Sequence, residues 1–381
     1  MALTVPTDIS DPVNARILAV SEDRIAGFLE EPFAEIARLS GLAEEVVLER
    51  LRAMLEGGVI RRIRQTLMAT NLAPGALVAW RVPAERLDEA FDLLAKDDPF
   101  SGHVVIRSTD AETPGSVYRL WTTLKVPQGF SMQRHCELLA SRIGASAFRI
   151  MPAKRLFALG VGHVRRRGME PGSRTDEPGQ VLDTNIVTLS DLEWQVLGPL
   201  KREFESHEVR PEPWRARADE AGVSLDRFFS VARGLAARGV IGRFSTFLEH
   251  VKPSSTGARV TRYNALFHWR VPVGREIEAG REVGRHHILT HAYWREGGPE
   301  FAHVNIMAVA HGTEKPAVLA HKAAIDAHLE TVGIPVSYTN VFWGGRSEIK
   351  PSEIMPQAYE AWLREGGIDP ETMRSRAPAR S

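Results

Sequence analysis

The sequence contains a single cysteine, Cys136, in 381 residues, which excludes an intrachain disulfide and a cysteine-based metal cage. Net charge is also absent, because 48 Lys and Arg residues balance 48 Asp and Glu residues, so no global field attracts nucleic acid. No apolar run approaches the roughly eighteen residues of a transmembrane helix. The start, MALTVPTDISDP, lacks a basic region followed by an apolar run. We therefore expect a cytoplasmic protein without membrane contact, in which Cys136 is a core residue.

The most informative feature that is present is an internal repeat. The stretch GGVIRRIRQTL at 57–67 returns as RGVIGRFSTFL at 238–248, and ALVAWRVP at 76–83 returns as ALFHWRVP at 265–272. Self-similar motifs in a fixed order indicate repeated structural units. Copy two has the longer spacing between its motifs, because it contains an additional Pro- and Ser-rich segment at 252–257. The chain is therefore a tandem duplication.

The first part of each copy has the pattern of two helices joined by a tight turn. In copy one, Ile36 and Leu39 belong to one apolar stripe, and Gly41 suits the left-handed end of that helix. In copy two, Gly222 occupies the turn and Ser224 is the predicted N-cap of the second helix. Each pair of helices precedes one of the repeated GVI motifs. The pattern predicts a helix-turn-helix with a short wing in each copy.

The second part of each copy has the element order β-α-β-β-α-β, which is typical of a ferredoxin-like sandwich. Helices then cover one face of the sheet, and the other face is left for a partner or a ligand. Trp80 and Trp269, one in each AWRVP-like strand, are predicted core residues. The predicted strands and helices lie at 76–82, 84–95, 103–108, 117–126, 131–143 and near Phe148 in copy one, and at 263–271, 274–284, 287–312, 315–332 and 336–342 in copy two.

The predicted fold class is therefore α+β, a tandem repeat of a winged helix-turn-helix and a ferredoxin-like domain. The charged, Pro- and Gly-rich stretch between the copies has the composition of a linker, and we expect disorder after Pro370. The predicted domains are a helix-turn-helix at 1–70, a ferredoxin-like domain at 71–163, a linker at 164–189, a helix-turn-helix at 190–250, a ferredoxin-like domain at 251–350 and a C-terminal tail at 351–381.

Four of the thirteen histidines lie in one stretch, HILTHAYWREGGPEFAHVNIMAVAHG at 287–312. We predict a hairpin of two extended runs joined by the turn-rich EGGPE, with side chains alternating between its faces. A single histidine on such a strand is usually a satisfied core residue, but the cluster of cationic and hydrogen-bonding groups favours a site for an anionic ligand. The alternation predicts one shared face for His287, His291, Tyr293 and Arg295, and one for His303, Asn305 and His311.

Together these motifs resemble the Lrp/AsnC family of regulators and, in detail, its enzymatic offshoot, the siroheme decarboxylases. That family carries PF-x-x-(I/L)-A-x-x-x-G-(L/V), a GVIRR wing and an A-W-x-V-P strand. Later it has stretches similar to S-H-x-Y-x-R, W-P-Y-N and I-H-G. Nearly the whole chain is covered by the resemblance. The matching positions are 32–33, 36–37, 41–42, 58–62, 79–83, 290–295, 302–305 and 310–312.

The resemblance implies an enzyme that removes carbon dioxide from two acetate side chains of siroheme, giving 12,18-didecarboxysiroheme in heme or heme d1 biosynthesis. It implies no cofactor beyond the substrate's iron, and a fusion of two related subunits that otherwise assemble as separate chains. The expected protein partners are a second copy of this chain, in a homo-oligomer, or related siroheme decarboxylase subunits. His291 is then the first candidate for the acid or electrophile, with Tyr293 and Arg295 orienting or donating. The predicted substrate-binding residues are His303, His311, Asn305 and, from copy one, Arg107 and Lys125, with His303 and His311 as candidate ligands of the substrate's iron.

Copy one departs from the family's pattern. It has VIRS at 105–108 in place of the histidine motif and KVPQG at 125–129 in place of I-H-G, and copy two has His303 where the family usually shows tyrosine. These departures predict one reactive site per chain, on copy two at the interface between the copies. Two other functions fit the same sequence, a heme- or tetrapyrrole-responsive transcription regulator and a non-catalytic tetrapyrrole carrier.

The second helix of each helix-turn-helix bears on the regulator hypothesis. In copy one this helix carries more acidic than basic residues, so it repels phosphates and DNA is not an expected partner. In copy two the equivalent helix is more basic, and DNA binding stays open there. The charged residues are Glu44, Glu45, Glu49, Glu56, Arg50 and Arg52 in copy one, and Arg227, Arg233 and Arg238 in copy two.

Overall fold

A computed structural model describes residues 5–68, 71–159, 169–182, 186–249 and 262–375. They form two compact units, one grouping 5–68 with 187–249 and 262, and the other grouping 71–159 with 169–182, 186 and 263–375. Both helix-turn-helix copies thus belong to the first unit, and both ferredoxin-like copies to the second. The α+β fold class is confirmed, whereas the predicted domain boundaries stay predictions. The predicted insertion at 252–257 lies outside the described residues.

The helices are α1 (Pro12–Ser21), α2 (Pro32–Ser40), α3 (Glu44–Glu56), α4 (Leu87–Lys96), α5 (Met132–Ile143), α6 (Asp191–Lys201), α7 (Arg215–Glu220), α8 (Leu225–Ala237), α9 (Glu276–Gly284), α10 (Lys315–Thr331) and α11 (Pro356–Glu365). The strands are β1 (Ile25–Ala26), β2 (Ile60–Leu67), β3 (Gly75–Arg81), β4 (Ser101–Thr109), β5 (Leu120–Lys125), β6 (Ala147–Pro152), β7 (Arg155–Leu159), β8 (Ile241–Leu248), β9 (Tyr263–Arg270), β10 (Leu289–Trp294), β11 (Ile306–Gly312) and β12 (Tyr338–Ile349). None of these helices is long and apolar enough to cross a membrane.

In the first unit, the two predicted helix-turn-helix motifs are confirmed as α2–α3 and α7–α8. Gly41 ends α2 in the left-handed conformation, with φ of 65°, and the Ser224 hydroxyl caps α8 by accepting from the amide of Arg227. The wings β2 and β8 pair with each other in antiparallel fashion. Phe33 of copy one lies 5.3 Å from Phe244 of copy two, ring centroid to ring centroid. The two motifs therefore share one aromatic core.

In the second unit, the described strands form one nine-stranded sheet with the order β6-β3-β5-β4-β12-β9-β11-β10-β7. The copies meet where β4 pairs with β12. Strand β7 was not predicted; it follows copy one in sequence but pairs with β10 of copy two. The strand predicted from 117 begins at Leu120, because Pro114–Val117 forms a 3-10 turn. Part of the predicted linker is held to this unit by a bridge from Leu182 to Leu156.

Strand alternation divides the sheet side chains into two faces. Trp80 and Cys136 lie in the core beneath the helices of copy one, and Trp269 lies in the equivalent core of copy two, as predicted. The opposite faces of both copies contribute to a third apolar core, which we call the shared cluster. Its buried members are Ala79, Val105, Tyr118, Trp121, Met151, Leu266, Phe301, Val304, Met307 and Phe342.

The C-terminal segment belongs to the core of copy one. Tyr359 and Leu363 of α11 are fully buried there, together with Met373 of the 3-10 turn that follows. Nδ1 of His135 lies 2.9 Å from the hydroxyl oxygen of Tyr359. The prediction of disorder after Pro370 is wrong for residues 370–375, because the apolar side chains of this segment complete a core that the ferredoxin-like pattern alone leaves open.

Candidate functional site

The predicted hairpin exists, and it contains a bulge at its first histidine. Strands β10 and β11 pair in antiparallel fashion, with a register shift between Leu289 and His291. Thr290 is the residue at this shift, and its hydroxyl donates to the carbonyl oxygen of Val309 at 3.2 Å. Nδ1 of His291 lies 3.0 Å from the same hydroxyl oxygen. A bulge changes the direction in which side chains leave a strand. At this bulge the side chains of the adjacent residues Thr290 and His291 contact each other.

His311 joins the same group from the neighbouring strand. Its Nδ1 lies 3.5 Å from the Thr290 hydroxyl oxygen, and its Nε2 lies 2.9 Å from Nδ2 of Asn264 on β9. We call His291, Thr290, His311 and Asn264 the histidine network. The structure thus brings together two of the predicted site histidines through a residue that the sequence did not single out. Both ring nitrogens of His311 contact protein partners.

The predicted shared face of His291, Tyr293 and Arg295 is confirmed. The rings of His291 and Tyr293 are nearly parallel, with centroids 6.0 Å apart and an interplanar angle of 9°. The guanidinium carbon of Arg295 lies 4.5 Å from the Tyr293 ring centroid, and Arg295 donates to the carbonyl oxygen of Met151. His287 does not belong to this face. It precedes β10, and its Nδ1 lies 2.9 Å from the hydroxyl oxygen of Ser173.

Two cations lie close enough to interact at this end of the site: Arg295 is buried, and Lys125 is half-buried. Burial, with the positive charge of Arg295 as a second cause, lowers the pKa of Lys125 to about 8. Burial also lowers the pKa of Arg295 and raises the pKa of Tyr293. Neither Arg295 nor Lys125 forms an ion pair with a carboxylate within the described ranges. Buried charges without a partner are costly, so this arrangement is suited to binding an anionic ligand.

Arg107, the third predicted cation, is buried on β4. It donates to the carbonyl oxygen of Phe342 at 3.2 Å, and its Nε has no hydrogen-bond partner in the described part of the chain. Burial lowers the pKa of Arg107 to about 9. Its positive charge contributes to the lowered pKa of His268 on β9. Arg107 therefore adds positive potential to the face that carries the shared cluster.

His268 is a candidate that sequence reasoning missed. Burial, followed by the charge of Arg107, lowers its pKa to about 3, so its ring is neutral. The ring centroid lies 4.9 Å from that of Phe342, and Nε2 has no hydrogen-bond partner among the residues described. The signal was present in the repeat, because ALFHWRVP has His268 where ALVAWRVP has Ala79. Alternation places this position opposite the core residue Trp269.

The predicted extended run from His303 to His311 is wrong at its start. Ala302 and His303 both have left-handed backbones, with φ of 51° and 56°, and β11 begins only at Ile306. His303 is exposed in this turn, and its assignment to substrate binding stays a prediction. Nδ2 of the Asn305 side chain donates to the backbone carbonyl oxygen of Val271 at 3.0 Å. Oδ1 of the same side chain accepts from the backbone N–H of Val271 at 2.9 Å. These bonds indicate a structural role for Asn305.

The described residues contain no group of three or more His, Cys, Asp or Glu side chains that could hold a metal ion. An iron-bearing ligand would therefore bring its own metal and meet one or two protein groups. The histidine network contains two imidazoles, a group that is a common iron ligand. Tyr293, Arg295 and Lys125 offer a phenol and two cations near the same strand. The arrangement thus suits an anionic macrocycle that carries its own iron.

The helix-turn-helix motifs offer little positive charge to DNA. On α3, Arg52 donates to the carbonyl oxygen of Val209 at 2.8 Å, and Arg50 forms an ion pair with Asp11 at 3.2 Å. On α8, Arg233 pairs with Glu30, and Arg238, the residue that follows this helix, pairs with Glu193. A DNA-reading helix needs such residues for phosphates and base edges. Of the predicted basic residues of α8, Arg227 has no ion pair among the described residues.

Two family models match parts of copy one. The AsnC-like ligand binding domain matches residues 73–158, and the siroheme decarboxylase NirDL-like HTH domain matches residues 28–61. The siroheme decarboxylase NirDL subunit of Paracoccus pantotrophus is 24% identical over 309 residues, which are 80% of this chain and 86% of that protein. The siroheme decarboxylase alpha subunit of Desulfovibrio desulfuricans is 28% identical over 131 residues, which are 34% of this chain and 70% of that protein.

Two solved structures have the same fold. The crystal structure of the siroheme decarboxylase NirDL has a TM-score of 0.65 at 20% identity and covers 92% of this chain and 97% of that chain. The crystal structure of NirDL in co-complex with an iron-uroporphyrin III analogue has a TM-score of 0.65 at 19% identity, covering 93% and 98%. The agreement over almost the full length of both chains supports the duplicated Lrp/AsnC-like fold.

Proposed function

We infer that this chain, which belongs to the siroheme decarboxylase family, removes carbon dioxide from two acetate side chains of siroheme. The observation that carries the inference is the placement of the buried Arg295 over the ring of Tyr293, which stacks on His291, with a second cation, Lys125, close enough to Arg295 for the two charges to interact. Neither cation is paired with a carboxylate in the described ranges. Siroheme bears eight carboxylates, so it can supply the anionic partners for these two cations.

The two cations are assigned to carboxylates that stay on the macrocycle. A carboxylate that leaves as carbon dioxide loses its charge during the reaction, so a strong ion pair to that group would stabilise the ground state more than the transition state. Ion pairs from Arg295 and Lys125 to neighbouring carboxylates avoid this cost. They hold the ring in register and place the reacting acetate near Tyr293 and His291.

Tyr293 is the proposed proton donor. Decarboxylation breaks the bond between the acetate methylene and its carboxylate and leaves the electron pair on the methylene carbon, which takes up a proton and becomes a methyl group. Burial raises the pKa of Tyr293, so its phenol is protonated at neutral pH. Arg295, 4.5 Å from the ring centroid, stabilises the phenolate that remains. The ring of His291 is nearly parallel to that of Tyr293. In this proposal His291 contacts the substrate from the same face of the sheet as Tyr293.

The test is anaerobic incubation of the purified protein with siroheme, with carbon dioxide release and bound tetrapyrrole measured in the same sample. We expect release that requires the protein and is lost when the substrate's carboxylates are blocked as methyl esters. Binding of siroheme without release of carbon dioxide would contradict the enzyme and favour a carrier. Salt-sensitive binding to its own promoter DNA, also without release, would favour a regulator.

A further inference from the structure

His268 lies in a row of paired residues that crosses four strands of the sheet. Its direct neighbours are Met307 on β11 and Asn340 on β12, and Met307 is in turn paired with Tyr293 on β10. Residues directly opposite each other on antiparallel strands point to the same face of a sheet. Tyr293 and His268 are two strand spacings apart, about 10 Å. His268 therefore lies on the same face as Tyr293, closer to the middle of the sheet.

The repeat shows that the fold does not require a histidine at this position. In copy one the equivalent residue of the AWRVP-like strand is Ala79, which pairs with Trp121. In copy two His268 pairs with Met307. All four side chains are buried, so the two pairs fill equivalent places on the sheet. An apolar pair therefore suffices for packing, and the imidazole of His268 needs another explanation.

The row contains two buried polar atoms without partners. Nε2 of His268 has no hydrogen-bond partner among the described residues, and the residue is 1% exposed. The same holds for Nδ2 of Asn340, the residue paired with His268 on β12. A buried polar group without a partner costs free energy, because it has lost its contacts with water. Two such atoms on paired residues indicate a place that a ligand occupies.

The imidazole of His268 is suited to a metal ion. Burial, followed by the positive charges of Arg107 and Lys322, lowers the pKa of His268 to about 3. At neutral pH no proton therefore competes with a metal ion for the ring, and neutral imidazole is a common iron ligand. The described residues contain no group of three or more side chains that could hold a metal ion. The iron therefore has to arrive within its own macrocycle.

We propose that Nε2 of His268 coordinates the iron of the tetrapyrrole. The proposal rests on the proposed function, because it takes siroheme as the ligand. With the iron at His268, the rim of the macrocycle extends along the row to Tyr293, where the reacting acetate takes up its proton. The ring of Phe301, 6.1 Å from that of His268, belongs to a turn and moves aside to admit the ligand. That turn contains the left-handed residues Ala302 and His303, a backbone of raised energy.

Pulsed electron paramagnetic resonance of the full chain with ferric siroheme measures this bond directly. Histidine in the protein is labelled with nitrogen-15, which distinguishes its ring nitrogens from those of the macrocycle. We expect a nitrogen-15 coupling to the iron in the wild-type protein and its loss in His268→Phe. A wild-type complex without this coupling would overturn the proposal, and so would a coupling that persists in folded His268→Phe.

Affinity gives a second measurement. We expect the wild-type protein to bind siroheme at least about 10-fold more tightly than the metal-free macrocycle, and His268→Phe to bind both equally. His268→Phe should fold, because it keeps an aromatic ring and removes a buried polar atom without a partner in the described part of the chain. His207→Phe, at an exposed position outside the sheet, is the control and should keep both the coupling and the preference. Equal affinity of the wild-type protein for the two macrocycles contradicts the iron bond.

The iron bond and the proposed function fail in different ways. Release of carbon dioxide by a wild-type protein whose iron shows no histidine coupling contradicts the iron bond alone. A wild-type complex with the coupling, lost in His268→Phe, but without release of carbon dioxide contradicts the proposed function alone.

Discussion

The guanidinium carbon of Arg295 lies 4.5 Å from the ring centroid of Tyr293. Burial lowers the pKa of Arg295 and raises the pKa of Tyr293, and the positive charge of Arg295 counteracts part of the effect on Tyr293. The pair is thus a protonated phenol held beside a permanent cation. This is the arrangement that proton donation requires, because the anion left after transfer forms next to a positive charge.

Removal of the Tyr293 hydroxyl tests the proton donor. We expect Tyr293→Phe to lower kcat by about 100-fold or more, the contribution typical of a positioned acid, while siroheme affinity changes little. The measurement is single-turnover kinetics together with an absorbance titration of binding. Tyr263→Phe, on β9, is the matched control and should retain activity. An unaltered kcat in Tyr293→Phe would show that another group donates the proton.

Replacement of Arg295 by an uncharged residue should weaken siroheme binding and stabilise the ligand-free protein. Arg295→Gln removes a charge-assisted contact worth about 1.5–3 kcal/mol, which corresponds to roughly a 10- to 100-fold loss of siroheme affinity. The same change removes a buried charge that has no carboxylate partner among the described residues, so we expect a higher Tm for the ligand-free protein. Arg81→Gln at an exposed strand end is the control. Lower Tm with unchanged affinity would indicate a structural role for Arg295.

Lys125 should make substrate capture depend on pH. Its pKa is lowered to about 8, so the amine is charged below that pH and loses its charge as the pH rises through it. The substrate's carboxylates remain ionised over this range. We therefore expect kcat/KM, which reports the free enzyme, to fall above about pH 8. The arginine in Lys125→Arg stays charged over this pH range, so kcat/KM of this variant should no longer fall above about pH 8. If kcat/KM of Lys125→Arg still falls above about pH 8, a group other than Lys125 causes the decline.

The C-terminal helix should contribute to stability rather than to chemistry. Tyr359 is fully buried and its hydroxyl oxygen lies 2.9 Å from Nδ1 of His135. We expect Tyr359→Phe to lower the free energy of unfolding by about 1 kcal/mol through the lost hydrogen bond. Tyr359→Ala should cost about 3–5 kcal/mol through the cavity it creates. Denaturant unfolding measures both, and turnover per folded molecule should not change. Equal stability of all three proteins would mean that α11 does not belong to the core.

Much of the fold could be predicted from the sequence because the repeated motifs and the hydrophobic periodicity agree. Two copies with the same order of elements predict the same domains twice, and β10 and β11 follow the alternation well enough to place His291, Tyr293 and Arg295 together. The rest depends on local departures from that alternation. The bulge at Thr290 and the left-handed turn at Ala302 change the register by an amount that no pattern of apolar residues encodes.

The contact partners of individual side chains could not be predicted from the sequence either. The sequence predicts substrate binding by Asn305, which is polar and near the histidines, yet its side chain bonds to the backbone of Val271. His268 was overlooked because a lone histidine beside a core tryptophan has no motif of its own. Lys125 lies far from Arg295 in the chain, and only the folded structure brings their charges close enough to interact.

The most direct test of the central claim is the mass of the tetrapyrrole recovered after an anaerobic single turnover, with the protein in excess over siroheme. We expect a product that has lost two carbon dioxide molecules in the wild-type protein. At the reaction time at which wild-type turnover is complete, we expect mostly siroheme of unchanged mass, still bound, in Tyr293→Phe. Recovery of intact siroheme from the wild-type protein, with binding confirmed in the same sample, would contradict the assignment of this chain as a siroheme decarboxylase.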